Sequence, residues 1–314
     1  MTQPATSPAT SGRSLWRRFV DRLPDSPERT SVRVAAWLSW VTQVLIVGTG
    51  GLVRLTGSGL GCPTWPRCTA DSFVTTPEMG VHGLIEFGNR LLTFVLIAVA
   101  IVMFLFVLRY RRERRDLFVL ALVLGLGIPA QGVVGGISVL TKLNPYVVGL
   151  HFVVSAVLVV LATVLVVRVL EGPGGGPRRV PGWLAGGVAI AAALVAVTVV
   201  FGILTTGSGP HAGDENAPRN GLDSELLQHV HSWPAYALLG LTVILLVASV
   251  VRRERVLGTR LGLLLAVELV QIAVGLWQAR TGLPPFLVGA HMVLACLLVS
   301  AMTASVLALR APRD

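Results

Sequence analysis

Six histidines are the side chains of this 314-residue chain best suited to chemistry. His151 and His291 fall near one end of two long apolar runs, and His231 near the same end of a third, two residues after His229. His82 stands just ahead of a fourth run, and His211 lies in a polar stretch. An ionisable group inside a run of membrane-spanning length is costly, and so is a candidate for function. A lone histidine there more often does no more than tie two helices together.

A duplication shifts that balance. Gln131, Gly135, Thr141, Pro145, Val148, Gly149 and His151 recur as Gln271, Gly275, Thr281, Pro285, Val288, Gly289 and His291, always 140 residues on and without a gap. Thr56-Gly-Ser-Gly59 is echoed earlier by Thr206-Gly-Ser-Gly209. Chance would share Val and Leu between two apolar helices, but not Gln, Thr, Pro and His. His231 and His291 therefore stand on different helices of one repeat. Two imidazoles facing across a helical bundle, with no carboxylate cluster beside them, suit a heme iron ligated on both faces. Zinc would need three or four ligands close together. Arg54, Arg90, Lys142 and Arg280 sit where heme propionates would emerge, or serve as interfacial anchors.

The first repeat departs from the second. The position matching His231 is Asn89, in the run His82-Gly-Leu-Ile-Glu86-Phe-Gly-Asn89-Arg90. His82, Glu86 and Asn89 share one helix face by spacing. The asymmetry suggests divided labour, with one heme held permanently and one pocket for chemistry. Glu86 is otherwise an acid placed at a helix N-terminus by the macrodipole. Glu268 lies deep in the seventh run, either hydrogen-bonded and neutral or functional.

The elements that must position these groups are transmembrane helices. Hydrophobic residues are 53% of the chain and charged ones 13%, against about 25% charged in soluble proteins. Apolar runs at about 34–55, 84–108, 117–140, 146–167, 183–205, 229–251, 261–279 and 286–309 each suffice to cross a bilayer. In lipid each must be helical. The expected fold is all-α: eight transmembrane helices as two tandem four-helix bundles, related by a pseudo-two-fold axis along the membrane normal. The divisions expected are a basic tail 1–33 without regular structure, an N-terminal half 34–168, a linker 169–182, a C-terminal half 183–309 and a short tail 310–314. Most of the 26 basic residues fall in the tail and in alternate loops, which places both termini in the cytoplasm and the 57–83 and 207–228 loops outside. The charge of +10 is thus a topology signal, not a nucleic-acid footprint.

Cys62 and Cys68 bracket Pro-Thr-Trp-Pro-Arg in the first outward loop, where a disulfide can persist. Two unpaired cysteines are the alternative, and a metal site would find only His82 as a further ligand nearby. Cys296, inside the last run, reads as a small packing residue.

Taken with the paired Gln–Gly–Thr–Pro–His segments, the stretches Gly-Leu-Val-Arg-Leu-Thr-Gly-Ser-Gly-Leu-Gly-Cys-Pro-Thr-Trp-Pro-Arg-Cys (51–68) and Ile-Glu-Phe-Gly-Asn-Arg (85–90) resemble the heme A synthase family, over about residues 40–305. The resemblance implies a multi-pass enzyme of the cell membrane that oxidises the C8 methyl of heme O to a formyl group, with oxygen from water. The heme A produced would serve terminal oxidases. It implies a resident heme b ligated by His231 and His291, a substrate-heme pocket at His151, and Glu86 as the catalytic carboxylate. Cys62 and Cys68 match the family's outward-loop pair. Partners would be heme O, heme A and the lipid bilayer, together with a heme O synthase and oxidase assembly factors. The family commonly has Glu-x-x-His-Arg, where this chain has Glu86-Phe-Gly-Asn89-Arg90. His82 is the natural substitute for the missing ligand, with Asn89 and Arg90 completing the pocket wall. A di-heme b-type, quinone-linked electron carrier is the first rival and would want four equivalent histidines. A transporter is the second.

Overall fold

The structure, a computed structural model, describes residues 15–313. Residues 1–14 of the expected tail, and Asp314, lie outside the described residues. The described part of that tail is not featureless: it forms α1 (Leu15–Asp21). Its end is fastened by Arg109, whose guanidinium donates to the Asp21 and Leu23 carbonyls at 3.0 Å each.

Eight long helices follow: α2 (Thr30–Leu55), α3 (Gly80–Val107), α4 (Arg115–Leu140), α5 (Pro145–Glu171), α6 (Gly182–Ser208), α7 (Ser224–Val251), α8 (Arg255–Arg280) and α9 (Pro285–Leu307). Each is long and apolar enough to cross a membrane, and the described residues contain no strand. Each begins ahead of the apolar run that announced it, and at α5 and α7 a polar side chain caps the start. Asp223 Oδ1 accepts from the Glu225 and Leu226 amides and starts α7 five residues before His229. Asn144 caps α5 by accepting from the Tyr146 amide at 3.0 Å, with Pro145 in the first turn. A 3-10 turn, Pro77–Met79, leads into α3, so His82 lies within the helix rather than ahead of it.

In the first repeat α2 packs on α3, α3 on α4, α4 on α5, and α5 back on α2. In the second, α6, α7, α8 and α9 close the same ring. Between repeats α2 meets α9, α5 meets α6, and α5 meets α9. The α4–α5 and α8–α9 turns are built alike: Lys142 and Leu143 have φ of 51° and 58°, Gly282 and Leu283 of 76° and 60°. The first copy thus places a lysine in a left-handed conformation where the second has glycine.

At one end of the helices the two long loops are joined. The Gly59 amide donates to the Gly213 carbonyl at 2.7 Å, and Arg54 reaches from α2 to the carbonyls of His211 at 2.5 Å and Thr206 at 2.8 Å. At the other end residues 173–179 pair with 309–313. Arg179 donates to Leu309, Ala311 to Pro177 and Arg313 to Pro173, and Arg178 bridges Arg310. The expected linker and tail are therefore one clasp.

Candidate functional site

In the second repeat, α7 and α9 set His231 and His291 edge to face, with ring centroids 6.2 Å apart and planes at 72°. Each ring rests on a glycine. A Cβ at Gly202 of α6 would lie 2.9 Å from His231 Cε1, and one at Gly275 of α8 would lie 3.1 Å from His291 Cε1. Substituting either glycine would displace an imidazole. His231 Nδ1 lies 2.9 Å from the Thr198 carbonyl, so the proton belongs on Nδ1 and Nε2 carries the lone pair. Gln271 donates to the backbone carbonyl of His291 at 3.2 Å, while His291 Nδ1 is buried without a partner.

These rings meet a simple test for heme. Iron held about 2 Å from a nitrogen of each of two imidazoles puts their centroids on the order of 6 Å apart. The observed spacing fits. Among the described residues, no three His, Cys, Asp or Glu side chains gather as a metal cluster, so a two-histidine ligand set is what the pair offers.

The first repeat keeps half of this arrangement. His151 of α5 rests on Gly135 of α4, where a Cβ would lie 3.2 Å from its Cε1. Gln131 donates to the His151 carbonyl at 3.0 Å and also to Ser155 Oγ, and His151 Nδ1 is buried and unpartnered. Across the ring, Asn89 of α3 accepts from Thr49 of α2 at 2.7 Å, much as His231 is tied to Thr198 of α6. One turn before Asn89 comes Glu86, only 5% exposed. Its Oε2 accepts from the Cys62 amide at 2.6 Å, and its Oε1 from Arg90 at 2.5 Å. The carboxylate is held on both oxygens.

The first outer loop is what holds it. The Cys62 and Cys68 sulfurs lie 1.93 Å apart, closing Pro63–Arg67 into a small ring. Trp65 within that ring lies flat on Gly136 of α4, where a Cβ would stand 2.3 Å from the indole. Arg90 donates onward to the carbonyls of Cys62, Thr64 and Arg67 at 3.0, 3.1 and 3.2 Å. The loop therefore caps α3 and α4 through Glu86, Arg90 and Gly136.

The remaining candidates fall elsewhere. His82 is exposed, with Nδ1 2.9 Å from Ser58 Oγ. His211 Nε2 lies 2.8 Å from the Leu283 carbonyl in the joined loops, and His229 is exposed. Arg54 and Arg90, expected among the cations for propionates, spend their guanidiniums on backbone carbonyls. Lys142 and Arg280 are exposed, with no partner among the described residues. Glu268 is 3% exposed and accepts from Thr242 of α7 at 2.8 Å, while its Oε2 is buried and unpartnered. Gly135, Gly275, Gln131 and Gln271 appeared in the sequence only as repeat letters. Thr49, Thr198, Gly202, Trp65 and Gly136 gave no signal of their own.

Comparison with known proteins places this geometry. Residues 33–303 match the model of a family described as cytochrome oxidase assembly protein. The protein named Heme A synthase in Halalkalibacterium halodurans is 30% identical over 149 residues, covering 47% of this chain and 49% of that protein. Its namesake in Geobacillus thermodenitrificans is 32% identical over 126 residues, 40% and 39% of the two chains. That of Listeria welshimeri is 28% identical over 141 residues, 45% and 46%. The aligned part spans about half, or less, of the length of these curated relatives. The chain is a multi-pass membrane protein, and it belongs to the heme A synthase family of cytochrome oxidase assembly proteins.

Proposed function

We propose that this protein is a heme A synthase, converting the C8 methyl of heme O to a formyl group with oxygen from water. The observation that carries the reading is a difference between equivalent places. The second repeat opposes two histidines at iron-ligating separation, whereas the first puts Asn89 opposite His151 and adds the tethered Glu86. A plain di-heme electron carrier would keep the two alike.

The two repeats form tandem four-helix bundles about a pseudo-two-fold axis along the membrane normal. The packing supports this, since α2 on α9 and α5 on α6 exchange under such an axis and α5 on α9 maps to itself. Both termini lie in the cytoplasm, in the cell membrane, and the Cys62–Cys68 loop faces out, where its disulfide persists. His231 and His291 would hold a heme b, which when bound would relay electrons one at a time to an external acceptor. Gly202 and Gly275 fix the ring positions, and Thr198 fixes the His231 tautomer.

Substrate heme O lies in the first bundle, against His151 and Asn89, with Glu86 one turn from Asn89. Replacing two methyl hydrogens by a carbonyl oxygen releases protons and electrons in equal number. Glu86 takes protons there, because it is the buried carboxylate of that bundle and its position is fixed from both sides. Arg90 and the Cys62 amide stabilise its ionised form between proton transfers. The formyl product, heme A, passes to terminal oxidase assembly, and a heme O synthase supplies the substrate.

Pigment analysis tests the reading. Protein purified from membranes supplied with heme O should contain heme b and accumulate heme A, while membranes without heme O should yield heme b alone. Heme b in both preparations with no heme A would leave the electron-carrier reading standing. Colourless protein would leave the transporter.

A further inference from the structure

Two side chains that can carry a proton stand one turn apart on α3, and one short stretch of loop holds both. His82 is exposed and Glu86 is buried. Ser58 Oγ lies 2.9 Å from His82 Nδ1, and four residues on the Cys62 amide donates to Glu86 Oε2 at 2.6 Å. Between them Gly61 lies so close on α3 that a Cβ there would stand 2.3 Å from the His82 carbonyl oxygen. Residues 58–62 are therefore clipped to the helix at both ends. An exposed ring ordinarily turns freely. This one is held by a serine that is itself fully buried.

The hydroxyls also decide which nitrogen is basic. Thr56 Oγ1 donates to the Leu52 carbonyl at 2.8 Å, so toward Ser58 Oγ, also 2.8 Å away, it accepts. The Ser58 hydroxyl gives its proton to Thr56 and offers His82 a lone pair. His82 then carries its proton on Nδ1, and the basic lone pair sits on Nε2, without a partner among the described residues.

The matching places in the second bundle carry neither proton group. With Asn89 set against His231, His82 corresponds to Ser224 and Glu86 to Gln228. Ser208, which matches Ser58, turns instead to the Thr205 carbonyl of its own helix. Imidazole and carboxylate thus occur together in the bundle assigned the chemistry and are absent together from the one assigned to hold heme b.

We propose that His82 is the proton exit of the first bundle, taking protons from Glu86 on Nε2 and passing them to water beyond the outer loops. The proposal rests on the heme A synthase reading above, in which a methyl group and water yield a formyl group, protons and electrons. The electrons go to the acceptor by way of the second bundle. The protons reach Glu86 in succession, and the carboxyl must be emptied before the next arrives. Cys62 and Arg90 cover its two oxygens, which closes the direct way to bulk water. Side chains one helical turn apart have Cβ atoms about 6 Å from each other, a gap that one water bridges. Through that water the proton leaves the Glu86 carboxyl and converts His82 to imidazolium. The ring then releases it from the same nitrogen to solvent and is neutral again.

Rate and rescue test this in membranes supplied with heme O. His82→Ala should slow heme A formation about tenfold, while the heme b spectrum and copurified heme O stay at wild-type levels. Collidine, a base too hindered to ligate iron, should restore most of the lost rate to the variant and leave the wild type unchanged. His82→Gln should show the same loss, and Ser58→Ala, which frees the ring to turn, a loss of about threefold. A wild-type rate in His82→Ala would overturn the proposal. A loss that collidine leaves untouched would overturn it too, since a base in solution cannot stand in for a merely structural histidine. Loss of heme b from both His82 variants would do the same, by making the residue a prop of the fold. Wild-type membranes that form no heme A from heme O would defeat the enzymatic reading itself, and the relay with it.

Discussion

The two bundles hold corresponding residues in nearly the same frame and differ in what those residues are free to do. In both, a histidine near the outer end of the fourth helix rests on a glycine one helix away, and a glutamine donates to that histidine's carbonyl. In the second bundle a further histidine completes the pair. In the first, the partner is an asparagine and a carboxylate stands one turn away. A duplicated scaffold can thus keep one copy as a holder while the other gives up ligation for chemistry.

The comparison breaks most visibly at the paired histidines. His231→Ala or His291→Ala should abolish the low-spin heme b spectrum of the purified protein, and a variant whose spectrum is unchanged removes that residue from the ligand set. Next in size, Glu86→Gln should keep that spectrum while heme A formation falls at least about 100-fold, with heme O or a hydroxylated intermediate accumulating. Wild-type heme A yield in that variant would end the catalytic assignment.

Opening the outer loop should have a middling effect. Cys62→Ser with Cys68→Ser removes a constraint on the order of 2 kcal/mol and lets the Cys62 amide drift from Glu86, so activity should drop while heme b remains. Mass spectrometry of alkylated, unreduced wild-type protein should find neither thiol modified, and free thiols at both positions would remove the disulfide. Gly202→Ala presses on His231 and should shift the heme b spectrum without abolishing it, whereas Gly135→Ala should leave that spectrum alone and weaken heme O retention. The smallest effects belong to the asparagine position. Asn89→His should retain heme A formation within about threefold, and His82→Ala, at an exposed ring paired with Ser58, should leave heme O retention near wild type.

How much of this was legible beforehand depends on whether a residue's role repeats. His151, His291, Gln131 and Gln271 stood out because the duplication printed them twice, and the eight apolar runs gave the helices. Thr198 and Thr49 could not be read: Thr198 meets His231 through a backbone carbonyl that any residue would offer, and Thr49 looks like any threonine in an apolar run. Gly202 lacks a glycine at the matching place in the first repeat, where Leu52 stands, so its cradle for His231 appeared only with the ring above it. Trp65 on Gly136 joins a loop to a helix far along the chain, which no local pattern encodes. α1 escaped because its anchor, Arg109, lies in the turn after α3. Glu268 was visible as an oddity, and its partner Thr242 explains why it is tolerated.

Arg54 bears on the ancestry of the chain. It crosses from α2 to carbonyls at the end of α6 and in the loop after it, and its counterpart by the Thr56–Thr206 match is Leu204. The fastening therefore exists once and in one direction. A single ancestral unit pairing with its own copy would have made two identical joints or none. The present halves are no longer interchangeable, and if separated into two polypeptides they should recombine as unlike partners rather than as a homodimer of either.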